Sequence, residues 1–301
     1  LHCACLKGHL HIVKWLVGEQ NCAVDAQGEN GWQPLHLACA GGHLGVVKWL
    51  VEEQNCAVDE REYDGWQPLH FACQGGHLDV VKWLVEEQKC ALDARDRGGW
   101  QPVHHASNNG HLGVVKWLVE EQNCAVDART GYGRQPLHYA CKEGHLDVVR
   151  CLVEEQKCSL DEVDSVGNRP FHLACNKGHL DVVKWLLRQQ GPALIRAVGS
   201  DGMTGLAMAK REKHEAVVKL LQDSLEAEAA QEFAAEVARQ QEERAACMAA
   251  ELIREEEEHS ASTAVKKTKK KQKKKKKQKK KQAEDKQCDG FAVEDKQIHG
   301  D

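Results

Sequence analysis

The sequence predicts an all-α repeat solenoid, made of stacked helix-turn-helix units of 34 residues joined by hairpin-like loops. A long helix and a disordered tail follow the stack. Three observations predict this. His9, His43, His77, His111, His145 and His179 are each 34 residues apart, and each lies in a Gly-His-Leu triplet. Pro34, Pro68, Pro102, Pro136 and Pro170 keep the same step, as do Trp15, Trp49, Trp83, Trp117 and Trp185, with Cys151 in the missing place. The composition then changes abruptly after residue 221. A fixed period of this length is the mark of units that bury their apolar faces only by stacking.

Within one unit, Pro34 suits a first helical position, where a missing N–H costs nothing. Leu35 to Cys39 form a first helix of about two turns, which Gly41 and Gly42 end. A second helix is expected from Leu44 to Gln54. Asp79, Asp147 and Asp181 occupy its first turn in three units, where a carboxylate favours the helix dipole. Val46, Val47, Trp49, Leu50 and Val51 cover most of its circumference, which requires neighbours on both sides. Asn55 leaves the helix in a left-handed conformation, and Asp59 to Gly65 make a turn or hairpin leading to the next unit.

Residues 33–38, QPLHLA, with the Gly-His-Leu triplet and the apolar second helix, resemble the ankyrin repeat family over roughly residues 1–221. The array comprises a partial first repeat, five full repeats over about 26–195, and a degenerate C-terminal cap at 196–221. In the cap, Gly205 replaces the proline and Glu212 and Lys213 replace the glycines, the polar outer face that a terminal unit needs. Two departures stand out. Gln33, Gln67, Gln101, Gln135 and Arg169 take the place of the family's threonine, weakening the expected cap. Each unit also has one residue more than the usual 33, placed near Gln54–Asn55. Leu1 matches Leu35 inside a helix, which predicts further repeats or another domain before it.

The dense histidines and cysteines invite a metal hypothesis. His36 and Cys39, repeated as His70/Cys73, His138/Cys141 and His172/Cys175, share a helix face at i,i+3. Completing a site needs the next rung, about 8–10 Å away, while zinc ligands lie within about 2.3 Å of the ion. Buried free thiols account for them better, and the resemblance implies that both histidine ladders hydrogen-bond backbone. The ladder Cys22, Cys56, Cys90, Cys124 and Cys158 is likewise too widely spaced for disulfides, so a reducing, intracellular setting (cytoplasm, nucleus or both) is expected. No phosphate loop, nucleophile elbow or kinase signature is present. No catalytic residue, cofactor or metal is therefore assigned, and the chain is read as a non-enzyme. No apolar run is long enough to span a membrane.

Positions that refuse the period point to a partner. The turns differ in every unit: residues 27–30, 61–64, 95–98, 129–132 and 163–166. First-helix positions vary too, among them Leu37, Phe71, His105, Tyr139 and Leu173, and Gln74, Asn108 and Lys142. In ankyrin-like stacks these fingers and first helices line one concave face. Tyr63, Arg97, Tyr132 and Tyr139, with Phe71, His105, Arg61, Arg95, Arg129 and Lys142, are the candidate contacts to another protein, since Tyr and Arg are frequent hot-spot residues.

The charge is segregated. Residues 1–221 hold 23 Lys+Arg against 28 Asp+Glu, residues 222–258 hold 3 against 12, and residues 259–301 hold 15 against 6. The Ala/Glu-rich segment 222–258 lacks Gly and Pro and is expected to be helical. Its larger apolar residues do not keep a and d positions, which leaves a coiled coil and a single helix projecting from the last repeat as alternatives. Residues 259–301 are expected to be disordered. They contain the run Lys266, Lys267, Lys269, Lys270, Lys271, Lys273, Lys274, Lys275, Lys276, Lys277, Lys279, Lys280 and Lys281. That run fits an import signal read by a receptor, a non-specific polyanion contact, or a passive tail lying back on Glu255–Glu258. For the whole chain the expectation is an interaction scaffold or adaptor. The alternatives are a regulatory segment of a larger protein and a polyanion-associated nuclear protein acting through the lysines.

Overall fold

The structure, a computed structural model, describes residues 1–199 and 202–289, with side chains to residue 281. The helices pair as α1 (His2–Leu6) with α2 (Leu10–Gly18), α3 (Pro34–Ala40) with α4 (Leu44–Lys48), and α5 (Pro68–Gly75) with α6 (Leu78–Glu86). Then come α7 (Pro102–Asn108) with α8 (Leu112–Lys116), α9 (Pro136–Glu143) with α10 (Leu146–Arg150), and α11 (Pro170–Lys177) with α12 (Leu180–Gln190). A short α13 (Ala193–Arg196) precedes α14 (Gly205–Arg211), and α15 runs Glu215–Asp289. The first helices pack in one row, α1 to α3 to α5 to α7 to α9 to α11 to α14, and the second helices in another, α2 to α12. No strand is present among the described residues. The chain divides into two units, residues 1–228 and 229–301.

The helix pairs after the first bury both faces of the second helix, as the apolar circumference requires. Val46, Val47 and Leu50, and their counterparts Val80, Val81 and Leu84, are sealed from water. Each proline opens its first helix. The histidine at the third helical position ties down the N-cap backbone in these units. His36 Nδ1 accepts the Gln33 N–H at 3.0 Å, which leaves the proton on Nε2, and Nε2 donates to Glu60 O of the next connection at 3.0 Å. His70, His104 and His172 repeat both bonds. Only in the last unit does a threonine cap, Thr204, accept from Ala207 N.

The Gly-His-Leu triplet connects one unit to the next. Gly76 has φ +75°, and its α-carbon faces the His111 imidazole so closely that a Cβ would lie 2.4 Å from Nδ1. His111 Nε2 is 2.7 Å from Gln74 O, in the preceding unit. The same pair of contacts recurs at Gly42 with His77 and Gly110 with His145.

Two expectations are corrected. The second helix does not run as plain α-helix to Gln54. After Lys48, Lys116 and Arg150 the chain widens into one π turn, at Trp49–Glu53, Trp117–Glu121 and Cys151–Glu155. Even α6 carries the i→i+5 bond there, from Gln88 N to Trp83 O. Asn55, Lys89 and Asn123 then turn left-handed (φ 53–58°), and Cys56, Cys90 and Cys124 N–H groups bond back to Leu50, Leu84 and Leu118. Those bonds span one residue more than the usual 6→1 closure. The extra residue of each unit is accommodated by this wide turn, which closes at Gln54 and Asn55, because a π turn absorbs a single insertion without breaking the backbone ladder.

The second correction concerns the tail. Helix α15 continues through the lysine run to Asp289, so residues 259–289 are not disordered; residues 290–301 lie outside the described residues. Lysine is a good helix former, and no Gly or Pro interrupts the chain between Glu215 and Asp289.

Candidate partner-binding face

The connections between units are tight turns. In the third finger, Asp96 N bonds Trp100 O, Gly99 N bonds Asp96 O, and Arg97 N reaches across to Asp64 O of the second finger at 2.9 Å. Tyr63 N is bonded likewise to Asn30 O, Gly131 N to Gly98 O and Ser165 N to Tyr132 O. Arg61 Nη1 donates to Gly65 O in its own turn (2.8 Å) and to Arg95 O in the next (2.6 Å). Arg95 and Arg129 repeat this staple, to Arg129 O and Val163 O, and Arg129 adds an ion pair to Glu162. Arg61, Arg95 and Arg129 are therefore fasteners of the fingers, each holding two carbonyls through Nη1. Their 34-residue spacing was the available signal, since a residue that obeys the period serves the stack.

Phe71, His105 and Tyr139 are not on the surface. All three are buried, at 2%, 3% and 2% exposure, which corrects their assignment as contacts. The finger tryptophans interleave with them in one aromatic column. Trp66 lies 5.1 Å from Phe71 and 4.1 Å from His105, and Trp100 lies 4.9 Å from His105 and 4.0 Å from Tyr139. Trp32 meets Phe71 edge-on at 5.2 Å. The next finger has Arg134 in place of tryptophan; its guanidinium carbon lies 6.0 Å from the Tyr139 ring centre, and its Nε donates to the sealed Asp164 carboxylate at 3.0 Å.

The column becomes polar in the third unit. His105 Nε2 donates to Asp96 Oδ2 at 3.2 Å, and both side chains are about 95% buried. Asp96 Oδ1 accepts from Trp100 N at 2.8 Å. Burial lowers the His105 pKa and outweighs the Asp96 hydrogen bond that opposes it. Burial raises Asp96, but the bonds from His105 and Trp100 prevail and hold it below the usual range. A carboxylate with a neutral imidazole donor results. Ser107 here replaces the cysteine found at positions 39, 73, 141 and 175, and Asn109 stands where the first two full units have Gly41 and Gly75.

Beside this pair a pocket of about 360 Å³ opens, lined by Asp64, Trp66, Gln74, Asp96, Arg97, Gly98, Trp100, His105, Asn108 and Asn109. Arg97 is exposed on its rim. Tyr63 and Tyr132 are 54% and 65% exposed at the neighbouring finger tips, the Tyr63 ring lying over Gly31 of the preceding finger. Of the ten sequence candidates, Arg97 and His105 line this opening, while Tyr63 and Tyr132 are exposed on the fingers before and after it. Lys142 stands apart on α9, paired with Glu143. Trp66 and Trp100 were missed because they obey the period, and only their second neighbours make them part of a pocket wall.

Elsewhere the polar groups are architectural. Lys14, Lys48 and Lys82 stand 5.7–5.8 Å above the Trp49, Trp83 and Trp117 rings of the next unit. Where Cys151 replaces the tryptophan, Lys116 bonds Glu155 at 2.9 Å instead. Glu120, Cys151 and Glu155 there bring three metal-ligating atoms within 4.8 Å, but the Lys116 ammonium already neutralises Glu155, and burial pushes the Cys151 thiol up to about 12. Among the described residues every cysteine is a free thiol.

Helix pairs stacked in register, with fingers bonded edge to edge, define a repeat solenoid whose variable surface is its fingers and the first-helix side. The family model for ankyrin repeats matches residues 1–96, 88–164 and 156–232, and the chain belongs to the ankyrin repeat family. Ankyrin repeats are generally protein–protein interaction modules, and the fold is typically a non-catalytic scaffold. Comparison with curated proteins finds no match. No helix among the described residues is long and apolar enough to cross a membrane.

Proposed function

We propose that this protein is an interaction scaffold or adaptor that binds another protein through the finger tips and the pocket of its third unit. One observation carries the reading: Arg97 stands exposed on the rim of an opening whose walls are the Trp66 and Trp100 rings and the Asp96–His105 pair, with Tyr63 and Tyr132 exposed on the fingers before and after it. Exposed tyrosine and arginine beside a semi-buried aromatic wall supply contact area at low conformational cost, as interface anchors do. The polar third unit supports a site there, because the stack itself is served by Leu or Phe at the same position. An intracellular, reducing location fits the many thiols, whose burial pushes Cys56, Cys90, Cys124 and Cys158 up to about 11.

The test compares partners captured by the wild-type chain with those captured by a Tyr63→Ala/Arg97→Ala/Tyr132→Ala variant. A Lys82→Ala variant, altered on the second-helix side, is the control. Loss of the same partners from the triple variant alone supports the reading. Undiminished capture overturns it.

A further inference from the structure

The lysine segment of α15 is a rod of fixed charge density. It is helical throughout, every residue from 241 to 281 is exposed, and among the described side chains none of its lysines is in a salt bridge. The passive-tail arrangement fails on geometry: along a helix Glu258 and Lys266 are about 12 Å apart, beyond ion-pair reach. Sixteen residues at 1.5 Å each give about 24 Å of axis, over which 13 lysines are spread. That is one positive charge per roughly 1.8 Å, and double-stranded DNA carries one negative charge per about 1.7 Å of its axis. Single strands offer about half that density.

Thr268, Gln272 and Gln278 are the only other residues between 266 and 281. The rod therefore has no apolar face to enter a membrane interface and no aromatic ring to stack on unpaired bases. Lysines four apart, such as Lys266–Lys270, Lys269–Lys273 and Lys273–Lys277, repel one another along every face. A matched line of phosphates removes that repulsion.

We propose that residues 266–281 form a sequence-independent binding element for double-helical nucleic acid, which the rod engages through the phosphate backbone. With about six lysines facing phosphates, the logarithm of affinity falls against the logarithm of salt with a slope near −5, a loss of roughly 1,000-fold between 50 and 200 mM.

The full chain is titrated into labelled 20-base-pair DNA duplexes of two unrelated sequences across that salt range. In parallel, a variant with Lys269, Lys270, Lys273, Lys274, Lys276 and Lys277 changed to Gln keeps helix-forming residues while removing charge. The expected results are equal affinity for the two duplexes within about threefold, and at least about 30-fold weaker binding with a halved slope for the variant. Variant binding equal to wild type overturns the proposal. So does a wild-type slope shallower than about −2, equal affinity for a single strand of the same length, or equal competition by vesicles containing phosphatidylserine.

Discussion

His105 and Asp96 form a hydrogen-bonded pair at 3.2 Å, sealed from water in the middle of an aromatic column. A buried pair of this kind costs more when halved than when removed. Asp96→Ala strands the His105 donor and also removes the acceptor for Trp100 N, so a loss of about 1–3 kcal/mol is expected in urea denaturation. His105→Phe, which copies Phe71 of the preceding unit, should cost less. A double-mutant cycle that returns no coupling between the positions would show that the pair is incidental.

Ser107 carries a hydroxyl that is buried without a hydrogen bond, where five other units have cysteine, Cys5 among them. Ser107→Cys should therefore stabilise the array by about 1 kcal/mol, since a thiol is far cheaper to bury. An unchanged or lower urea midpoint would contradict this.

Gly76 illustrates the demand of the triplet. Any Cβ there meets the His111 ring, on a backbone that side chains rarely adopt. Gly76→Ala should cost at least about 2 kcal/mol through strain at positive φ and displacement of the ring. Gly45 and Gly113 have space around them, and Gly113→Ala, within α8, should stabilise slightly. Equal effects at Gly76 and Gly113 would refute the packing argument.

Acid should weaken the array early. Burial holds His70, His104 and His138 at about 4, against about 6.5 in the unfolded chain. Between those values the unfolded state binds more protons, so stability is complete above pH 6.5 and falls as pH drops towards 4. Each histidine contributes up to about 1.4 kcal/mol per pH unit in that window. Urea midpoints measured at pH 7.5, 6, 5 and 4.5 should fall steadily, and a flat profile to pH 4.5 would exclude the mechanism.

Arg95 and Arg97 are two residues apart and serve different ends. Arg95→Ala removes bonds to Gly99 O and Arg129 O and should lower stability by about 1 kcal/mol. Arg97→Ala should leave stability within about 0.5 kcal/mol and reduce partner capture. The opposite pattern would exchange their roles.

Much of this was legible in the sequence because each recurring residue has a recurring task. Pro34 opens a helix, Gly42 takes a left-handed turn, and Asn55 ends the unit. The binding face was less legible. Phe71, His105 and Tyr139 vary as loop residues do, yet all three are buried against the finger rings: Trp66 on Phe71 and His105, Trp100 on His105 and Tyr139, with Arg134 beside Tyr139. Variation among buried residues looks, in a single chain, like freedom from constraint. The π turns were hidden for a different reason, since a wide turn has no residue signature of its own and only the count of 34 betrays it. The lysine segment was misjudged because charge density argued for disorder, while propensity and the absence of Gly and Pro argued for helix.

The lysine-over-tryptophan contacts give the array a direction. Lys14 covers Trp49, Lys48 covers Trp83 and Lys82 covers Trp117, always from the earlier unit to the later. Trp15 is 53% exposed, against 4–8% for Trp49, Trp83, Trp117 and Trp185. The finger rings lean the other way, Trp32 on Phe71, Trp66 on His105 and Trp100 on Tyr139 of the following unit. Loss of units from the N-terminal side would thus uncover Trp49, Trp83 and Trp117 in turn, and loss from the other side would uncover Trp100, Trp66 and Trp32. The stack carries two opposed optical rulers, and single-tryptophan variants from each set would tell from which end it comes apart.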